Sequence, residues 1–184
     1  MNFWISLIGY QLVWFASVTG AGHGLAWPGA LGLAVYAAWQ LSRSPSPATD
    51  MKMMTAATLL GCLLDGGLIH CGLASYAVAA PLPALAPLWI LALWAAFALT
   101  FTQSLKYLQT RLWLALVLGA AGGPLAYVGA ANGWQVISFA TPAWRGLAWL
   151  AIGWGIATPL LAWLARHWSR SATLNSLPLR EHAP

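Results

Sequence analysis

An all-α polytopic integral membrane protein with six transmembrane helices is the fold class this sequence predicts, and three observations carry it. Of the 184 residues, 60% are hydrophobic and 6% charged, where soluble domains carry about 25% charged residues. Mean hydropathy is +0.71. Six apolar stretches each approach the roughly 20 residues a helix needs to cross a bilayer. A soluble fold of this size has too little interior for so much apolar surface, whereas lipid solvates it.

The stretches are 3–20, 25–41, 54–76, 85–105, 111–131 and 144–166. No Lys or Arg precedes the first, and "SVTGAGHG" leads straight into the second, so the first reads as a retained helix and not a signal peptide. The gap "SRSPSPATDMK" places Pro45, Pro47 and Asp50 in a loop, and Pro81, Pro83 and Pro142 fall in later gaps, where proline costs no helix hydrogen bond. Thr100, Thr102 and Gln103 read as interfacial at the inner end of the fourth helix. Gly122-Gly123-Pro124 and Thr158-Pro159 predict bends in the fifth and sixth helices, and bends can line a cavity. The segment "NGWQVISFATPAW" (132–144) is too polar to span and reads as lying flat on the outer surface. Residues 1–168 thus form a single six-helix transmembrane domain, and 169–184 a flexible cytoplasmic tail.

Charge sets the orientation. Arg43, Lys52, Lys106, Arg111, Arg166, Arg170 and Arg180 fall on one face of a six-helix chain, and Arg145 alone on the other. The positive-inside rule then puts both termini in the cytoplasm, with a bacterial inner membrane the simplest setting. Trp4, Trp39, Trp113 and Trp168 mark the inner boundary and Trp27, Trp89 and Trp144 the outer one. The basic residues are too scattered to track a phosphate backbone, so nucleic acid is not an expected partner. Cys62 and Cys71, about 13 Å apart along one helix, are beyond disulfide reach and read as buried packing thiols.

The candidate functional residues are Asp65, Gln11, His70 and His23. A carboxylate near the centre of a spanning helix costs about 2.5–3.5 kcal/mol and is rarely lipid-facing. At about 100° per residue, Met54, Thr58, Gly61, Asp65, Gly72 and Tyr76 share one stripe. Gly61 and Gly72 would admit a neighbouring helix, placing Asp65 between helices. Gln11, at similar depth in the first helix, is the expected hydrogen-bond partner. His70 lies about 140° round from Asp65, so no dyad within one helix is expected. His23 is near the outer surface. Asp65 reads equally as a functional group or as a hydrogen bond between helices. No nucleotide loop, zinc signature or serine triad is present, so no catalytic set, cofactor or metal is assigned.

The opening "MNFWISLIGYQLVWFASVTGAGHGLAWPG", the central "LLDGG", and "LAPLWILALWAAFALTFTQSL" and "GGPLAYVGA" resemble the bacterial domain-of-unknown-function family 2878, from about residue 3 to 166. The resemblance implies a small multi-pass inner-membrane protein without established activity. It also implies a link to membrane lipids, through gene neighbourhoods holding cyclopropane-fatty-acid-synthase-like enzymes and stress regulators. It carries over no catalytic residue. Three functions follow: a protein that binds membrane lipids or partners lipid-modifying proteins, an intramembrane lipid-modifying enzyme using Asp65, and a small proton-coupled transporter. A homo-oligomer suits the third, because six helices leave little room for alternating access.

Overall fold

The computed structural model describes residues 3–78 and 85–175. The chain is all-α in class, with six helices among those residues: α1 (Phe3–Gly22), α2 (Trp27–Arg43), α3 (Pro47–His70), α4 (Leu88–Thr100), α5 (Leu112–Trp134) and α6 (Trp144–Asn175). A short 3₁₀ turn, Lys106–Thr110, links α4 to α5. Four of the helices, α1, α3, α5 and α6, are long and apolar enough to cross a membrane. The expected positions Pro81, Pro83, Arg180 and the last part of the tail lie outside the described residues.

The apolar runs mark where helices lie but not where they end. α3 begins at Pro47, not at residue 54. Proline is favoured at a helix's first position, where its missing N–H has no partner to lose, and an acid in the first turn complements the helix dipole. Asp50 is therefore a helical residue, correcting its placement in a loop. At the other end α3 stops at His70, because Gly72 takes a left-handed φ of 63°. The Leu73 N–H donates to the Leu68 carbonyl (3.0 Å) and that of Gly72 to Ile69 (2.9 Å), a glycine-terminated Schellman cap. Gly72 thus ends the helix instead of packing on its face. Tyr76 lies in a strand, β1 (Ala74–Tyr76), and Asp65 sits in the last two turns of α3, not at its centre.

β1 pairs antiparallel with β2 (Ile137–Phe139), Tyr76 opposite Ile137. The segment read as lying flat is therefore half of a two-stranded ribbon that joins the α3–α4 and α5–α6 connections. At the C-terminus α6 continues to Asn175, past the residue 168 boundary expected from polarity.

α4 is the hub, packing against α1, α2 and α3, while α6 packs on α3 and α5. It is only 13 residues long, about 20 Å, and apolar on all sides, the pattern of a helix enclosed by others. Its C-terminal carbonyls are met by side chains: Gln40 Nε2 donates to Leu99 O (2.8 Å), Gln109 Nε2 to Phe101 O (2.9 Å) and Thr100 Oγ1 to Phe97 O (2.6 Å). A helix can end within protein at membrane depth only when its carbonyls find such donors. Trp4, Trp27, Trp113 and Trp144 are exposed at helix ends, whereas Trp89, at the start of α4, is 1% exposed and packs in the core. Both cysteines are free; Cys71 is exposed, not buried, because it caps α3.

Candidate functional site: a caged carboxylate behind an apolar cavity

Asp65 is wholly buried, and three donors from three different elements converge on it. The hydroxyls of Tyr76 in β1 and Tyr127 in α5 each donate to Oδ1 at 2.6 Å, and the indole N–H of Trp94 in α4 donates to Oδ2 at 2.7 Å. Both carboxyl oxygens are thus supplied with donors, as buried polar atoms in folded proteins generally are. Burial first, and the neighbouring Asp65 second, push the Tyr76 hydroxyl well above its usual range, so it stays a donor at any physiological pH.

The sequence builds this cage locally. Gly61, one turn before Asp65, leaves room for the Trp94 ring; a Cβ there would meet Trp94 Cγ at 2.6 Å. On α6, Trp149 donates to the Leu64 carbonyl (2.9 Å) and packs on Gly67, fixing α3 on either side of Asp65. Gly119 and Gly123 of α5 face Trp154 of α6, and Trp154 stacks on Trp94 at 4.1 Å and 17°. Two small residues four apart give the close approach that membrane helix pairs use.

In front of the cage lies a cavity of about 420 Å³, floored by α4 and α6 and walled by α1 and α5. Ligand pockets run from about 300 to 1,000 Å³. Trp94 and Tyr127 line it, whereas Asp65 does not, so the carboxylate meets the cavity only through them. Its rim is exposed: Gln11 on α1, and Leu118, Gly122 and Ala126 on α5. Trp14 of α1 also lines the cavity, and Trp134 at the end of α5 packs against α1, its ring centroid 5.4 Å from that of Trp14 and 5.9 Å from that of Phe15. With its exposed rim on these two helices, the cavity opens sideways between α1 and α5. A second groove, about 640 Å³, lies between α1 and α2 and is lined by Ile8, Leu12, Leu31 and Val35 among others.

The expected partner of Asp65 is corrected here. Gln11 is exposed on the cavity rim and makes no bond to Asp65, whose oxygens are taken by Tyr76, Tyr127 and Trp94. His70 is exposed at the end of α3, and His23 is exposed beyond α1, with Nδ1 2.8 Å from the Thr19 carbonyl. Neither joins Asp65. Among the described residues no three of His, Cys, Asp and Glu gather in one place. Trp94 and Tyr127 had no sequence signal beyond their polar tips in apolar helices, since a partner on another helix is set by tertiary packing.

The family described as protein of unknown function (DUF2878) matches residues 3–160. The chain belongs to this family. Its matched region holds the whole cage and every residue named on the cavity rim. The comparison with curated proteins finds no match, and neither does the comparison with solved structures.

Proposed function

We propose that this DUF2878 protein is a lipid-binding protein of the bacterial inner membrane, crossing it six times with both termini in the cytoplasm. The cavity between α1 and α5 takes an acyl chain directly from the bilayer. One observation carries the reading: a sizeable, largely apolar cavity opens sideways on the flank of apolar helices, and lipid is what that flank would meet. In this arrangement α2 and α4 are the short spans, the six helices act as one domain, and the chain beyond α6 lies in the cytoplasm. The bound lipid is either the protein's own ligand or is presented to a lipid-modifying partner.

The enzyme and transporter readings require substrate or water to reach Asp65. The completeness of its cage supports the binding reading over both.

Gly122 supplies the test, because a side chain built there meets nothing within 4 Å and would project into the cavity. Gly129 is equally open but lies off the cavity, and serves as control. Native mass spectrometry of protein extracted in mild detergent is expected to show lipid adducts on wild type and Gly129→Leu, and at least a five-fold loss on Gly122→Leu. Equal lipid on all three sinks the reading.

A further inference from the structure

At the opposite end of α3 from the cage, a second buried polar cluster lies off the proposed lipid cavity. It draws on four helices: Ser6 of α1, Tyr36 and Gln40 of α2, Thr49 and Asp50 of α3, and the residues around the end of α4. Ser6 and Gln40 are 0% exposed, and Asp50 and Ser104 are 1%. Part of the cluster is closed: Ser6 Oγ lies 3.1 Å from Ser104 Oγ, and the Tyr36 hydroxyl donates to the Ser6 carbonyl at 3.2 Å.

The other part is not closed. Thr102 Oγ1 donates to Asp50 Oδ1 (2.7 Å) and lies 3.2 Å from the Leu99 carbonyl, and Gln40 Nε2 donates to that same carbonyl (2.8 Å). The Gln40 amide is fixed by this bond: its nitrogen must face Leu99 O, so its oxygen faces away. Gln40 Oε1 and Asp50 Oδ2 are both buried, and neither has a hydrogen-bond partner. Both are acceptors. No Lys, Arg or His among the described residues pairs with Asp50. Acceptors buried with no donor are costly to leave unmet.

We propose that the two unpartnered oxygens, Asp50 Oδ2 and Gln40 Oε1, form a binding site for one monovalent alkali cation, with the Thr102 hydroxyl beside Asp50. The chemistry is selective in kind. Oxygen-only donors suit hard cations, and the absence of thiolate and imidazole disfavours transition metals. A single carboxylate balances one positive charge, whereas calcium sites recruit several. The cation would tie α2, α3 and the end of α4 together where α4 stops short, so its binding is a stability term for the inner end of the bundle. The site is independent of the lipid cavity.

The experiment is thermal unfolding of the purified full chain in detergent, followed by tryptophan fluorescence, in NaCl, KCl or choline chloride at equal ionic strength. Anything that binds only the folded state raises Tm in a saturable way. A saturable rise of several degrees with Na⁺ or K⁺ over choline is expected, and the more effective ion identifies the preferred cation. Asp50→Asn is expected to abolish that rise while keeping the choline Tm near wild type, since its amide N–H can donate where the carboxylate could not. Gln40→Met is expected to shift the cation titration midpoint at least ten-fold upward. If neither cation raises the wild-type Tm above choline, the proposal is overturned, and buried water is the occupant of the cluster. An equal rise in wild type, Asp50→Asn and Gln40→Met overturns it as well. If Asp50→Asn does not fold, the Gln40→Met midpoint decides alone.

Discussion

Asp65 and Asp50 lie on the same helix, both essentially sealed from solvent, yet their surroundings are opposite. Asp65 has donors on both oxygens, drawn from β1, α4 and α5. Asp50 has one hydroxyl on one oxygen and nothing on the other. Burial alone therefore does not separate the two acids; the count of donors does. A fully met carboxylate fixes the elements around it, while a half-met one has capacity left for a ligand.

The largest effect is expected at the cage. Asp65→Ala strands three buried donors at once, and at about 1 kcal/mol each this costs about 3 kcal/mol. Asp65→Asn should cost roughly half as much. Its amide oxygen must turn to Trp94, whose N–H cannot accept, so the two phenols lose their acceptor and face an NH₂ group instead. Reversible unfolding in mixed micelles reads both numbers. A cost below about 0.5 kcal/mol for Asp65→Ala would break the contrast between the two acids.

A somewhat smaller effect is expected from Gly61→Ala. The new methyl meets the Trp94 ring, and overpacking of this kind costs about 1–3 kcal/mol. The displaced indole must also leave Asp65 Oδ2, so Gly61→Ala and Trp94→Phe should be strongly non-additive in a double-mutant cycle. Additive costs would mean that Gly61 supports something other than the cage.

These contacts also mark the limit of what the sequence conveys. Six helices were readable because lipid-solvated runs are long and nearly free of charge. The ends were not: a polar first turn such as "PATDMK" looks like a loop unless Pro47 and Asp50 are read as start signals. The ribbon was invisible because strands of three residues have no period. Asp65 stood out as a lone acid in an apolar run. Its partners did not, because the depth and rotation of one helix against another are decided by packing, which here takes Tyr76 off the helical stripe and returns it to Asp65 from a strand. Gln11 was matched to Asp65 by depth alone, and the structure turns it outward to the cavity rim. Asp50 was passed over because a loop acid needs no partner, whereas a buried helical one does.

A single donor is a sharper probe. Tyr76→Phe removes one hydroxyl from Oδ1 and leaves that of Tyr127 on the same atom, so about 1 kcal/mol is expected. Hydrogen exchange should show the loss concentrated in the β1–β2 ribbon, because Tyr76 is the ribbon's bond to the helices. A uniform loss of protection over α3 and α4 would mean that the cage holds the bundle and not the ribbon.

The smallest effect is expected from the substitution that looks most like Asp65→Asn. Asp50→Asn, measured in choline chloride, should change stability by less than about 0.5 kcal/mol. One carboxylate oxygen keeps Thr102 as its donor, and the other becomes an NH₂ that brings a donor to a cluster whose unpartnered side-chain atoms, Asp50 Oδ2 and Gln40 Oε1, are both acceptors. The same change of one oxygen to nitrogen thus damages a site already supplied with donors and is tolerated at one that lacks them. Equal costs at the two positions would show that the two acids are satisfied alike, and that the difference in their donors has no energetic consequence.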